Sequence, residues 1–177
     1  MALIVITGTR GDGKTSFVRS CVEHAARCGW STGGIISPAV LEAGQRVGYD
    51  IESVRSAERR RLAMLVDDPR QKADAGRYSF AEDAVRFGNE TLVAAAAAGC
   101  EVIAIDEVGP LELRGGGWAP ALRVALERHR KPQSLFIVIR TGLIEEVAAN
   151  FPSAAWAGVR RVAPPWPDPA EVFGRVD

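Results

Sequence analysis

Apolar residues follow two patterns along this chain, and the two patterns alternate. Unbroken apolar runs occupy residues 3–6, 102–105 and 135–139, and their length suits strands that are buried on both faces. Elsewhere apolar residues recur at helical spacing, as they do over residues 17–26. The alternation of strands with helices predicts an α/β fold, in which a mostly parallel central sheet is flanked by helices.

The connection between the first strand and the first helix fits the phosphate-binding pattern G-x-x-x-x-G-K-[S/T]. Its glycines let backbone N–H groups converge on phosphate oxygens, because no Cβ intervenes. Lys14 is predicted to reach the β- and γ-phosphates, and the Thr15 hydroxyl to ligate Mg²⁺. The residues predicted to bind the nucleotide are Gly8, Thr9, Arg10, Gly11, Asp12, Gly13, Lys14, Thr15 and Ser16.

Two adjacent acids, Asp106 and Glu107, directly follow the apolar run at residues 102–105. They are therefore expected at the carboxyl edge of the sheet, where open α/β sheets bind ligands. Asp106 is predicted to hold Mg²⁺. Glu107 points to the other side if strand geometry persists, and from there it can accept a proton from a water in line with the γ-phosphate.

Stabilising the charge of a phosphoryl-transfer transition state needs a cation beyond Lys14. Arg140, at the end of the strand predicted over residues 134–139, is the first candidate for this catalytic role. The weaker candidates are Arg10, Arg46 and Arg114. The rings that can stack on a base are those of Tyr49, Tyr78, Trp156 and Trp166. No side-chain pattern specific for one base is evident, which favours relaxed base choice.

The remaining elements are predicted from turn and cap signals. Residues 31–37 read as a second strand, and residues 39–42 and 45–54 as a β-hairpin turning at Ala43-Gly44. A simple βαβ array contains no β-hairpin. The hairpin is therefore expected to be an insertion that lies over the edge of the sheet where the nucleotide binds. A strand over residues 60–66, a turn at residues 67–69 and an irregular link over residues 74–78 follow. Ser79 and Glu82 form a capping box that predicts a helix over residues 79–98. Further helices are predicted over residues 119–130 and 145–150, and a short strand, a loop and one helical turn end the chain.

Composition narrows the class of protein without naming its chemistry. A chain of 177 residues predicts one domain, residues 1–177, and 22 basic against 22 acidic residues give no net charge. This balance gives no electrostatic case for nucleic acid or an anionic membrane as the main partner. No apolar run approaches the ~20 residues of a membrane span, and the first run is too short for a signal-peptide core. Three cysteines without framework spacing favour a reducing, cytoplasmic location.

Several separated segments together resemble one known family. They are the phosphate loop at residues 8–15, Thr32-Gly33-Gly34, residues 46–50, residues 76–78 and the segment Ile105-Asp106-Glu107-Val108-Gly109-Pro110 with the Leu-Glu-Leu that follows it. The chain resembles the small P-loop nucleoside-triphosphatases that include the vertebrate cancer-related NTPase. The resemblance implies a RecA-like P-loop fold and slow Mg²⁺-dependent hydrolysis of several NTPs, such as ATP or GTP. It implies that Lys14 and Thr15 hold phosphate and metal, Asp106 the metal and Glu107 the water.

The predicted function is a Mg²⁺-dependent nucleoside triphosphatase with relaxed base choice, and two alternatives use the same residues. One is a small nucleotide or metabolite kinase, which transfers the phosphoryl group to an acceptor other than water. The other is a nucleotide-dependent switch that binds a protein partner, of unknown identity, through the hairpin. Residues 106–109 also fit the D-x-x-G motif of regulatory GTPases. Those proteins select guanine with an Asn/Thr-Lys-x-Asp segment, and none of the lysines of this chain lies in such a pattern, so a guanine-specific switch is not expected.

Overall fold

One sheet organises the chain, of which the computed structural model describes residues 3–66, 77–129 and 133–173. The strands are β1 Leu3–Gly8, β2 Thr32–Ile36, β3 Ala39–Glu42, β4 Gln45–Ser53, β5 Arg59–Leu65, β6 Tyr78–Phe80, β7 Val102–Val108, β8 Ser134–Arg140 and β9 Arg160–Val162. The α-helices are α1 Lys14–Arg27, α2 Glu82–Ala97, α3 Pro110–Leu113, α4 Ala119–Arg128, α5 Ile144–Asn150 and α6 Pro169–Val172, with a 3₁₀ turn at Ala154–Gly158. None of these helices is long and apolar enough to cross a membrane.

The strands run in the order β6-β5-β4-β2-β7-β8-β1-β9, and β3 pairs with β4 outside this path. The strands β2, β7, β8, β1 and β9 are parallel to one another. The strands β3 to β6 extend one side of the sheet by antiparallel pairing. The predicted α/β fold, with a mostly parallel central sheet and an inserted hairpin over residues 39–54, is confirmed. The insertion is larger than the hairpin alone, because β5 and β6 continue it.

Each central strand contributes alternate residues to two cores, one on each face of the sheet. In β1, Leu3 and Val5 pack towards α2 and α4, whereas Ile4 and Ile6 pack towards α1 and α6. Helices therefore cover both faces, and every residue of the strand interior has to be apolar. This double burial explains the unbroken apolar runs of the sequence.

The prediction that Ser79 begins a helix with a capping box is wrong. The prediction that Tyr78 belongs to an irregular link is wrong as well. Both residues lie in β6, where Ser79 pairs with Met64 of β5. The backbone of this segment bonds to a neighbouring strand, so α2 begins only at Glu82, with Ala81 as its N-cap and no side-chain cap bond. The turn predicted at residues 67–69 and most of that link lie outside the described residues. The short helix α3 was not predicted.

Candidate functional site

The phosphate loop connects β1 to α1 through two left-handed glycines. Gly11 has φ +93° and Gly13 has φ +79°, and Gly13 is the N-cap of α1. Within the loop, the Thr9 N–H donates to Oδ2 of Asp12 over 2.6 Å. A Cβ on Gly8 would lie 2.9 Å from the same oxygen. The pattern G-x-x-x-x-G-K-[S/T] thus forms a compact loop whose glycines are required for its shape.

Lys14 folds back over the loop that precedes it. Its Nζ donates to the Thr9 carbonyl oxygen over 2.6 Å, and the residue is largely buried. The start of α1, with the positive end of its helix dipole, borders a cavity of about 380 Å³. Of the nine predicted nucleotide-binding residues, the six that line this cavity are Arg10, Gly11, Gly13, Lys14, Thr15 and Ser16. Gly8, Thr9 and Asp12 instead support the loop from outside the lining.

Asp106 lies at the end of β7 and is fully buried. The Ser37 N–H donates to its Oδ2 over 2.9 Å, whereas Oδ1 has no hydrogen-bond partner among the described residues. Burial, together with the charge of Glu107, raises the pKa of Asp106 to about 7, while the Ser37 N–H and the nearby Thr15 hydroxyl oppose this shift. An unpartnered carboxylate oxygen next to a hydroxyl is an arrangement suited to a hard divalent cation, which prefers oxygen ligands.

Glu107 departs from regular strand geometry. Its φ is +65°, and the register between β7 and β8 shifts between Ile105 and Val108. The side chain is exposed and lines the same cavity as Lys14 and Thr15. The regular strand geometry on which the expected direction of Glu107 depended does not persist, because the backbone bulges at this residue. Left-handed non-glycine residues of this kind cluster at functional sites.

Two residues that the sequence reasoning missed hold the segment after β7. Glu112 is buried and accepts the N–H groups of Gly109 and Trp118 over 2.8 and 3.0 Å. Burial raises the pKa of Glu112 to about 7, against the effect of these two bonds. Trp118 donates its Nε1–H to the Asp106 carbonyl oxygen over 3.1 Å. The one hint at this arrangement in the sequence is the spacing of Glu112 three residues after Gly109, at which a glutamate side chain reaches back to the N-cap N–H.

Three of the four candidate arginines lie at the phosphate cavity. Arg140, Arg10 and Arg46 all line the cavity beside Lys14. Arg10 donates to the Tyr78 hydroxyl over 2.8 Å, and Arg46 donates to the Tyr49 hydroxyl over 3.1 Å. Arg114, the fourth candidate, lines a neighbouring cavity instead. Hydrogen bonds to tyrosine leave the charges of Arg10 and Arg46 uncompensated by an acid at these two contacts.

The four candidate aromatic residues have different surroundings. Tyr49 and Tyr78 contact each other edge to face, with ring centroids 5.3 Å apart. Trp166 stacks on Phe17 of α1 and donates its Nε1–H to the Asp12 carbonyl oxygen over 2.7 Å. It thus supports the phosphate loop by contacts outside the cavity lining. Trp156 packs against the core, donates to the Phe151 carbonyl oxygen and lines neither of the two cavities described here.

A second cavity, of about 710 Å³, adjoins the first beyond Glu107. The residues that line both cavities are Arg10, Ser37, Arg46, Tyr49, Glu107 and Arg140. The rest of its lining comes from the start of β4, from β5, from β6 and the residue before it, from α2, and from residues 108–118 between the end of β7 and α4. The second cavity is thus built largely by the inserted strands and the segment that Glu112 holds.

Comparison with known proteins gives the family and supports the fold. The sequence model of the NTPase family matches residues 3–152. The chain is 34% identical over 140 residues to the nucleoside-triphosphatase THEP1 of Ignicoccus hospitalis, which covers 78% of this chain and 75% of that protein. The corresponding protein of Methanopyrus kandleri is 32% identical over 139 residues, covering 76% and 72%.

Two solved structures share the fold. A human cancer-related nucleoside triphosphatase superposes with a TM-score of 0.66 at 22% identity, over 92% of this chain and 89% of that one. THEP1 of Aquifex aeolicus superposes with a TM-score of 0.64 at 18% identity, over 93% and 91%. The α/β P-loop fold predicted from the sequence is therefore confirmed, and the chain belongs to the NTPase family of nucleoside-triphosphatase enzymes.

Proposed function

We propose that the chain is a Mg²⁺-dependent nucleoside triphosphatase that hydrolyses NTPs, with relaxed base choice, to NDP and phosphate. One observation carries the proposal: Lys14, Thr15, Glu107 and Arg140 line one cavity at the carboxyl edge of the sheet. A cation for the phosphates, a hydroxyl for a metal, a carboxylate for a water and a second cation are thus adjacent. These are the groups that phosphoryl transfer to water requires.

The phosphate loop binds the triphosphate in this proposal. Backbone N–H groups of residues 8–16 and the amino end of α1 face the phosphate oxygens, and Lys14 contacts the β- and γ-phosphates. In the structure Lys14 Nζ donates to the Thr9 carbonyl oxygen. Because an anion is a better partner for an ammonium group than a carbonyl is, the phosphates replace Thr9 as its acceptor.

Thr15 and Asp106 would hold Mg²⁺. The unpartnered Oδ1 of Asp106 and its proximity to the Thr15 hydroxyl support this assignment. When bound, the metal neutralises charge on the β- and γ-phosphates. A nearby cation also favours the ionised form of a buried carboxyl, so it would lower the raised pKa of Asp106.

Glu107 accepts the proton of the attacking water at its side-chain carboxylate. The water oxygen forms the new bond to the γ-phosphorus, the bond from this phosphorus to the β–γ bridging oxygen breaks, and NDP leaves. Arg140 stabilises the charge that develops on the transferred group. The exposure of Glu107, in contrast to the burial of Asp106, supports the different roles of the two adjacent acids.

Relaxed base choice follows from the kind of groups available for the base. Tyr49 is the aromatic residue that lines the phosphate cavity, and ring stacking does not discriminate strongly among bases. The substrate is thus an NTP of unrestricted base, and the balanced charge gives no reason to expect nucleic acid as a partner. The three free cysteines support a reducing, cytoplasmic environment.

Phosphate release from ATP, GTP, CTP and UTP, with Mg²⁺ and with EDTA, tests the proposal. We expect release from all four nucleotides with Mg²⁺, none with EDTA, and no requirement for an acceptor. The kinase alternative predicts negligible release until a small acceptor is added. The switch alternative predicts stoichiometric NTP binding without turnover.

Two substitutions test the assigned roles. Glu107→Gln should retain NTP binding and lose turnover by about 10²-fold or more, which is the usual contribution of a general base. Lys14→Ala should weaken NTP binding itself, and Glu23→Gln on the same helix, outside the cavity lining, serves as the matched control. Unchanged turnover of Glu107→Gln removes Glu107 from the mechanism, and unaltered NTP affinity of Lys14→Ala contradicts the proposed phosphate site.

A further inference from the structure

The second cavity has no part in NTP hydrolysis as proposed, although it meets the phosphate cavity at Glu107. We propose that it binds a second small molecule, a phosphomonoester that carries an aromatic ring, while an NTP occupies the phosphate loop. The proposal rests on the proposed function only in requiring that the NTP fill the first cavity. Size, apolar wall, charge and unpartnered polar atoms each support it.

The volume of the second cavity, about 710 Å³, is typical of small-molecule sites, which span about 300–1,000 Å³. The two cavities share lining residues, so a ligand here would be adjacent to the γ-phosphate across Glu107. A single NTP whose phosphates lie on the phosphate loop needs the first cavity for them. The second cavity therefore offers room for a separate molecule.

One wall of the cavity is apolar and partly aromatic. The apolar lining residues are Leu62 and Leu65 of β5, Phe80 of β6, Val85 of α2, Val108, Pro110, Leu111 and Trp118. The Tyr49–Tyr78 pair adds two further rings at the side nearest the phosphate loop. Flat aromatic ligands bind favourably against such a wall, because they bury apolar area and can stack or pack edge to face.

The lining of the second cavity also contains cationic side chains. The arginines that line the cavity are Arg10, Arg46, Arg77, Arg114 and Arg140. The acids in the lining are Glu107 and Glu112, and both carboxylate oxygens of Glu112 already accept backbone N–H groups. Guanidinium groups match the oxygens of a phosphate in geometry and charge. Among these arginines, Arg10 and Arg46 donate to tyrosine hydroxyls rather than to an acid, and together with Arg140 they favour an anionic ligand, and a phosphomonoester in particular.

Two buried polar atoms at the boundary of the cavities have no partner. Arg46 Nε and Ser37 Oγ are both buried and make no hydrogen bond within the described part of the chain. Ser37 as a residue is 1% exposed and lines both cavities. Buried polar groups are usually satisfied, so unpaired ones that face a cavity indicate a ligand that completes them. A phosphate can accept from both a guanidinium and a hydroxyl.

Calorimetric titration tests the proposal in two steps. The protein is first titrated with a non-hydrolysable NTP analogue and Mg²⁺, which reports on the NTP site alone. The loaded protein is then titrated with each of five probes: AMP, GMP, CMP, UMP and phenyl phosphate. We expect at least one probe to bind the loaded protein with one-to-one stoichiometry. Failure of the first titration contradicts the proposed function, whereas failure of the second alone overturns the second site.

Paired variants locate the probe. Leu65→Trp fills the cavity and should weaken probe binding by about tenfold or more. Met64→Trp is its matched control, because Met64 is the preceding residue of the same strand, is exposed and does not line the cavity. Should Leu65→Trp fail to fold, Arg114→Gln removes a lining charge, with Arg128→Gln at the exposed end of α4 as its control.

Three results would overturn the proposal. The loaded protein could bind none of the probes at millimolar concentration. A probe could compete with the NTP analogue, which would assign the second cavity to the NTP itself. The affinity for a probe could also be the same in the wild type, Leu65→Trp and Arg114→Gln, which would locate the bound probe elsewhere.

Discussion

Glu107 is held in a left-handed conformation inside the central sheet. Its replacement by glycine should therefore raise the stability of the fold while it abolishes turnover. Among the described residues, the other non-glycine residues with positive φ, Ala43 and Ala57, lie in connections between strands. Glu107→Gly and Glu107→Ala both remove the carboxylate and should abolish turnover alike. They differ in the Cβ, which a left-handed backbone disfavours.

The structure sets the size of the expected difference. A left-handed residue that keeps its Cβ costs about 1–2 kcal/mol. The greater freedom of glycine in the unfolded chain offsets about 0.4–1 kcal/mol of the gain. Taking the middle of each range, about 1.5 and about 0.7 kcal/mol, Glu107→Gly should be more stable than Glu107→Ala by about 0.8 kcal/mol. At about 2–4 °C per kcal/mol for a chain of this size, the melting temperatures should differ by about 2–3 °C.

Denaturant unfolding of both variants, with phosphate release measured in parallel, tests this reasoning. Glu90, an exposed residue of α2, gives a control of opposite sign. In a helix glycine is less favourable than alanine by about 1 kcal/mol, so Glu90→Gly should be less stable than Glu90→Ala. If Glu107→Ala proves as stable as Glu107→Gly, the backbone at this position is not strained. Turnover by either variant would exclude Glu107 as the base.

Three further predictions concern the support of the site. Glu52 is buried between Arg19 and a second arginine, and its pKa is lowered, chiefly by its hydrogen bond with Arg19. Glu52→Gln should therefore lower the free energy of unfolding by about 1–2 kcal/mol at neutral pH. This stabilisation is present above the ordinary pKa of 4.5 and is lost as the pH falls through the lowered one, so unfolding curves of wild type and variant should converge in acid. Gly34→Ala should destabilise the fold by more than about 2 kcal/mol, because its Cβ would lie 2.0 Å from a backbone oxygen of β7, and unfolding at wild-type stability would contradict this. Trp166→Leu should weaken NTP binding without removing a cavity residue, because Trp166 supports the phosphate loop by contacts outside the cavity lining; calorimetry that gives wild-type affinity would show that the loop needs no such support.

The central strands and the phosphate loop were predictable because local patterns determine them. Residues 102–105 are apolar throughout since helices cover both faces of β7, and this requirement appears in the sequence itself. The two glycines that the motif specifies are Gly8, where a Cβ would meet the Asp12 carboxylate, and Gly13, where the backbone is left-handed. In both cases a few consecutive residues carry the whole constraint.

The start of α2 and the second cavity depend instead on partners far along the chain. Serine is a residue type that favours helix N-caps, but Ser79 pairs with Met64 and therefore lies in a strand. Phe80 and Trp118 line the same cavity, although they are 38 residues apart in the sequence. No periodicity or spacing motif relates two residues that reach one cavity only through the tertiary fold, one from β6 and the other from the residue before α4. Tertiary packing overrides the local preference here.

The conformation of Glu107 combines both kinds of constraint. Its neighbours on both sides are fixed: Trp118 donates to the Asp106 carbonyl oxygen, and Glu112 accepts the Gly109 N–H. A strained backbone persists only where the surrounding structure determines it more strongly than the residue's own preference. The pair Asp106-Glu107 indicates in the sequence that two acids meet at a strand end, but the left-handed backbone of Glu107 lies in a segment that Glu112 and Trp118 hold. Removing the Trp118 Nε1–H by Trp118→Phe should therefore reduce turnover while the phosphate loop, and with it NTP binding, is unaffected.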